Sequence, residues 1–197
     1  MKSMRLFIRR YPPACRRYLL LILLFGLSYA SAYVYAAPVN IYQVELIIFS
    51  HLTETALNSE QWPRLQGNEI NNTNTVSLKP VNGSGSYFTL LPSHDFQLTQ
   101  EQKNLNHNPN YHTLLHMAWR QPIYEPRYSQ GVQIHGNTVN GTLKLSVRRY
   151  FDLTIDLLFA SSDKYFRLQQ SRRMRSNELN YIDFPLYGVL IKITPVS

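Results

Sequence analysis

Between residues 143 and 159 apolar and polar side chains alternate almost without error. Leu143, Leu145, Val147, Phe151, Leu153, Ile155, Leu157 and Phe159 share one parity, and Lys144, Ser146, Arg148, Asp152, Thr154 and Asp156 share the other. Only Arg149 interrupts the apolar row. A period of two marks a half-buried strand. One straight strand of this length would reach roughly 55 Å at about 3.3 Å per residue, more than a compact domain is wide. The pattern therefore predicts a bulge or corner at residues 148–150. Residues 160–164 close a hairpin, and the chain returns through residues 165–174. Setting apolar against apolar pairs Phe159 with Phe166 and Leu157 with Leu168. The same register sets Asp152 opposite Arg173 and Thr154 opposite Ser171.

Other strands read less regularly. Residues 41–49 (IYQVELIIF) are β-branched and mostly apolar, as in a central strand buried on both faces near one end. Residues 111–121 alternate until Pro122 stops them, and residues 131–135 make another short strand. Residues 87–91 end at Pro92, and residues 187–193 form a final strand. Asn140-Gly141 is the strongest hairpin dipeptide, because a type I′ turn needs positive φ at both central positions. Residues 98–106 carry a helix start, with Thr99 as cap and Gln102 three positions on. Residues 53–86 are polar and rich in Asn, Gly and Ser, with Trp62-Pro63 as the candidate anchor of this loop. The fold class expected is α+β: a largely antiparallel, curved β-sheet with one or two short helices on one face.

The N-terminus changes how the charge is read. Residues 1–36 hold six cations (Lys2, Arg5, Arg9, Arg10, Arg16, Arg17) and no acid, then an apolar run at 18–27 and small residues at 30–36. That order is a secretory signal peptide, with an uncleaved inner-membrane anchor as the alternative. Residues 37–197 then form a single periplasmic domain. The chain has 20 Lys+Arg and 12 Asp+Glu, so removing six cations leaves 14 against 12, or +2. Bulk charge thus gives no support to a nucleic-acid partner. The one cysteine, Cys15, falls within the signal, so the exported part has no disulfide, thiolate metal site or cysteine nucleophile.

Catalytic and metal signatures are weak. His112 and His116 on a strand lie roughly 13 Å apart and read as solvent-facing. Asp152 and Asp156 are separated too widely, again by roughly 13 Å along a strand, for a glycosidase pair. No catalytic residue, metal site or cofactor is assigned. The candidate ligand-binding residues are Arg172, Arg173, Arg175, Tyr181, Arg149, Tyr150, Trp119 and Arg120. Guanidinium groups grip carboxylates bidentately and stack on rings, while aromatic faces stack on sugars. An internal salt-bridge lattice through Asp152, Asp156, Glu178 and Asp183 is the alternative use of these arginines.

Several blocks also resemble one family. They are Tyr42-x-Val44-Glu45-Leu46-Ile47-Ile48-Phe49, Tyr111-x-x-Leu114-Leu115-His116-x-Ala118-Trp119-Arg120-Gln121-Pro122, Ile134-His135-Gly136 and Gly141-Thr142-Leu143. Arg149-Tyr150, residues 171–176 (SRRMRS) and Glu178-Leu179-x-Tyr181-Ile182-Asp183-x-Pro185-Leu186-x-Gly188-Val189-Leu190 complete the set. Together they are similar to the CsiV-type periplasmic peptidoglycan-binding proteins. The chain departs from that pattern at Asn180 and Phe184, where histidines are expected. The resemblance implies a non-enzymatic periplasmic protein that binds peptidoglycan and supports its synthesis. Its implied partners are peptidoglycan and an outer-membrane lipoprotein activator of a bifunctional penicillin-binding protein. Two other functions compete: a protein–protein adaptor that works by β-strand addition without touching glycan, and a cell-wall hydrolase.

If the N-terminal segment is a signal, protein recovered from the periplasm carries a new N-terminus between Tyr33 and Pro38. Intact-mass measurement decides this, and retention of Met1 would refute it.

Overall fold

The computed structural model describes residues 40–51, 70–80, 87–161 and 164–196. The signal segment, Trp62-Pro63, the Gly-Ser linker at 83–86 and turn residues 162–163 lie outside them. Residues Val39–Ser197 form one compact unit. Eleven strands are described, in two sheets. The first sheet has the order β10 (Leu179–Phe184), β11 (Tyr187–Pro195), β1 (Ile41–His51), β5 (Tyr111–Pro122), β4 (Thr89–Leu90), β3 (Lys79–Pro80). The second runs β2 (Thr75–Val76), β6 (Gly131–His135), β7 (Val139–Val147), β8 (Phe151–Ser161), β9 (Lys164–Met174).

Two packed sheets thus replace the one curved sheet expected. Each is mixed: β2 runs parallel to β6 and β3 to β4, and the remaining pairs are antiparallel. The sheets face each other across one core. Val44, Leu46, Ile48, Val189 and Ile191 of the first sheet meet Leu143, Leu145, Leu153, Ile155 and Leu157 of the second. Phe159 stacks on Tyr187 at 3.9 Å between ring centroids, and Tyr42 meets Phe151 edge-on at 5.1 Å. The register read from the alternation holds along β8 and β9, including Phe159–Phe166, Leu157–Leu168, Thr154–Ser171 and Asp152–Arg173.

Residues 148–150 are a hairpin turn, not a corner in one strand. Val147 pairs with Phe151, so β7 and β8 are antiparallel neighbours. An intervening segment of three residues keeps parity, so both strands still point their odd-numbered residues inward. Asn140-Gly141 is not a turn; it lies inside β7, and residues 136–138 reverse the chain instead. Glycine is needed at 141 for another reason: a Cβ there would run into the Asp156 carbonyl oxygen and the Leu157 backbone. Residues 179–184 form β10, whose turn at Pro185-Leu186 leads into β11.

The outer face of the first sheet carries the helix α1 (Thr99–His107) and a 3₁₀ turn at Ser93–Asp95. It is the only α-helix among the described residues. The expected capping box does not form, since Thr99 is the first helical residue and the cap position falls to Leu98, which has no side-chain cap bond. Glu45 of β1 takes over. Its carboxylate accepts from the backbone N–H of Gln97 at 2.7 Å and of Leu98 at 2.8 Å. His116 Nε2 lies 2.7 Å from the same carboxylate, with both side chains buried. His116 Nδ1 reaches Gln102 of the helix. Leu98 then seals against Ile47 and Phe49. His116 is therefore buried, against the solvent-facing expectation. A residue inserted in β5 opposite Ile48/Phe49 pairs His116 with Ile47 but His112 with Ser50, on opposite faces.

Burial alone would raise the Glu45 carboxyl, but the His116 bond and the two backbone N–H groups hold it below its ordinary 4.5. A depressed folded pKa adds stability above the unfolded value and loses it as pH falls through the folded one. Glu45→Gln should thus cost about 2 kcal/mol at neutral pH by breaking charge-assisted bonds. It should also flatten the loss of stability below pH 4.5. Urea unfolding at a series of pH values reads both effects; an unchanged acid limb in the variant would refute the role given to Glu45.

Candidate functional site

The eight candidate residues do not form one group. At the β7–β8 turn, the Tyr150 ring has three guanidinium groups around it. Arg149 lies 5.6 Å, Arg173 5.5 Å and Arg175 5.9 Å from its centroid. The turn itself brings Arg149. The strand register brings Arg173, and Arg175 follows two residues later, just past the end of β9. The nearby acids hold these arginines loosely. Arg173 Nε is 3.6 Å from Asp152, and Arg175 Nη1 is 3.7 Å from Glu178. The two arginine side chains remain 70% and 68% exposed. The salt-bridge lattice is therefore only partial. Asp156 is taken by Arg167 in a two-pronged bond of 2.8 Å on each arm, and Asp183 by a tyrosine.

Arg172 and Tyr181 belong elsewhere. Arg172 has the parity of the core row, opposite Leu153. Its guanidinium donates to the Tyr181 carbonyl, tying β9 at the edge of one sheet to β10 at the edge of the other. The Tyr181 ring is turned away, onto the outer face of the first sheet. There its hydroxyl donates to Asp183 Oδ1 at 2.6 Å and approaches His51 Nε2 at 3.5 Å. Phe49 stacks near both His51 and Tyr181, at 5.4 and 6.1 Å, and meets Tyr111 edge-on. Gly188 makes this possible, because a Cβ there would run into the Phe49 ring. Burial, helped by the Asp183 carboxylate, raises the Tyr181 phenol. Burial lowers the His51 imidazole, against the opposing pull of Asp183. Beside this group a cleft of about 400 Å³ lies between Gln102 and Asn106 of α1 and residues 111–116 of β5.

Trp119 and Arg120 join neither group. Trp119 is fully buried in the core and donates its indole N–H to Gln121 at 2.7 Å, so no surface ligand reaches it. Arg120 is exposed opposite Gln43 and Thr89, on the outer face of the first sheet. The apolar alternation around Trp119 was the available sign of its burial. Nothing in the sequence marks His51, because a histidine at a strand end has no distinguishing spacing.

The most exposed of these groups is a cationic platform with one aromatic ring at its centre. Permanently charged forked donors of this kind match carboxylates, and the ring face matches apolar or sugar surfaces. Among the described residues no helix is long and apolar enough to cross a membrane. Neither the curated proteins nor the solved structures contain a match to the chain. Residues 17–196, nearly the whole chain, match the family described as Peptidoglycan-binding protein, CsiV, and the chain belongs to that family.

Proposed function

We propose that the protein is a non-enzymatic periplasmic factor that grips peptidoglycan through Arg149, Arg173 and Arg175 around Tyr150. In this reading residues 1–36 direct export and residues 37–197 are the single working domain. Binding to the wall places it to support synthesis by a penicillin-binding protein and its outer-membrane lipoprotein activator.

The observation that carries the reading is the gathering of three exposed guanidinium groups on one tyrosine ring with only loose acidic neighbours. Stem peptides of peptidoglycan carry free carboxylates, and its sugar rings present flat apolar faces. The exported part is only +2, so attraction is local and falls with salt over a Debye length of about 10 Å at 0.1 M. Family membership favours the same ligand. An adaptor working by strand addition is disfavoured at β10, where Arg172 already occupies an edge carbonyl.

Co-sedimentation with isolated sacculi tests this. Replacing Arg149, Arg173 and Arg175 together with alanine should weaken binding at least tenfold. The unfolding free energy should change by less than about 1 kcal/mol, because exposed ion pairs are worth little. Undiminished sacculus binding by a folded triple variant would remove the cluster from the site.

A further inference from the structure

The same end of the sheet sandwich carries a second cation–aromatic pair, in the segment joining β5 to β6. The Tyr124 carbonyl accepts from the Val147 N–H at 2.9 Å. Val147 is the last residue of β7, so this segment is stitched next to the turn at residues 148–150. It is also internally fixed. The N–H groups of Tyr128 and Ser129 both donate to the Glu125 carbonyl, at 2.9 and 3.1 Å. The buried Ser129 hydroxyl donates to the Tyr124 carbonyl at 2.8 Å. Pro126 fixes φ immediately after Glu125.

What this rigid turn displays is not needed for the core. Tyr128 is 60% exposed, and the Arg127 guanidinium lies 4.4 Å from its ring centroid. The Arg127 side chain is 71% exposed, and its ion pair with Glu125 is loose at 3.8 Å. The charge count adds a second, independent observation. Arg127, Arg148, Arg149, Arg173 and Arg175 stand against Glu125, Asp152 and Glu178, which is five minus three, or +2. Residues 37–197 hold 14 cations and 12 acids, so the rest of the exported part is nine against nine. Cations thus outnumber acids at these two turns and the strand end beside them.

We propose that Arg127 and Tyr128 form a second gripping point for carboxylate-bearing side branches of the polymer, acting together with the Tyr150 cluster. This rests on the peptidoglycan reading and extends it. Arg127 takes a carboxylate while Tyr128 covers the apolar part of the same branch. A polymer that repeats its carboxylates engages both points at once, and the second contact then forms at high effective concentration.

The test compares the full exported protein with an Arg127→Ala/Tyr128→Ala variant and with the Arg149/Arg173/Arg175 triple variant. Three surfaces are used: untreated sacculi, sacculi whose carboxylates have been converted to amides, and phosphatidylglycerol vesicles. The Arg127/Tyr128 variant should bind untreated sacculi about tenfold more weakly, from the loss of one charge-assisted carboxylate contact and one ring contact, with an unchanged thermal midpoint. On amidated sacculi the unaltered protein should weaken and its advantage over this variant should vanish. If the variant matches the unaltered protein while the triple variant is impaired, the second gripping point is wrong and the peptidoglycan site stands. If neither variant is impaired, the peptidoglycan site falls as well. An equal advantage on amidated sacculi, or a loss confined to the vesicles, would show that the occupant is not a wall carboxylate. Arg127→Gln alone repeats the comparison with the ring left in place, should the double variant fold poorly.

Discussion

Burial of one parity of side chains between two sheets is the constraint on which everything else rests. Leu143, Leu145, Leu153, Ile155, Leu157, Phe166 and Leu168 all point into the same core. Each fully buried side chain of this kind contributes about 1.5–3 kcal/mol relative to exposure. An exposed cross-strand ion pair contributes about 0.2–1 kcal/mol. A slip by one residue would turn the whole row to solvent, so the core decides the register and the charges follow. Arg173 stands beside Asp152 because Phe166 must stand beside Phe159. The cationic platform is thus positioned by apolar groups buried in the core.

The first sheet shows a complementary solution. Strand β1 is covered by the core on one face and by α1 on the other, which is why its sequence reads as a nearly unbroken apolar run. Glu45 is the exception within that run. A carboxylate so deeply placed is tolerable only with partners, and it has three: two backbone N–H groups at the start of the helical segment and one imidazole. The same bonds that compensate its burial fasten the helix to the sheet.

How far the sequence could be read follows from these forces. The register of β8 and β9 was legible because alternation is strict where one face is buried. The β7–β8 hairpin was not, because a three-residue turn preserves parity and leaves the alternation of a continuous strand intact. Asn140-Gly141 misled because glycine serves two ends. It permits unusual φ, and it also lets a neighbouring backbone come close, which is its use here. Thr99 looked like a cap because local spacing cannot reveal a carboxylate arriving from a strand more than fifty residues earlier. Among the candidate residues, the gathering of Arg149, Tyr150, Arg173 and Arg175 was legible because turn and register alone bring them together. Tyr181 and Arg172 stand apart from them because β9 and β10, neighbours in sequence, belong to different sheets.

Gly188 and Phe49 also bear on how such a chain can change over time. The ring occupies the space where a side chain at 188 would stand, so neither position is free by itself. A larger residue at 188 requires a smaller one at 49. A smaller residue at 49 in turn withdraws the ring that His51, Tyr111 and Tyr181 surround. Single-step substitution at either place therefore meets a barrier, whereas paired exchange does not. Across related chains the two positions should drift as a correlated couple, with the aromatic group on that face kept or lost as a block.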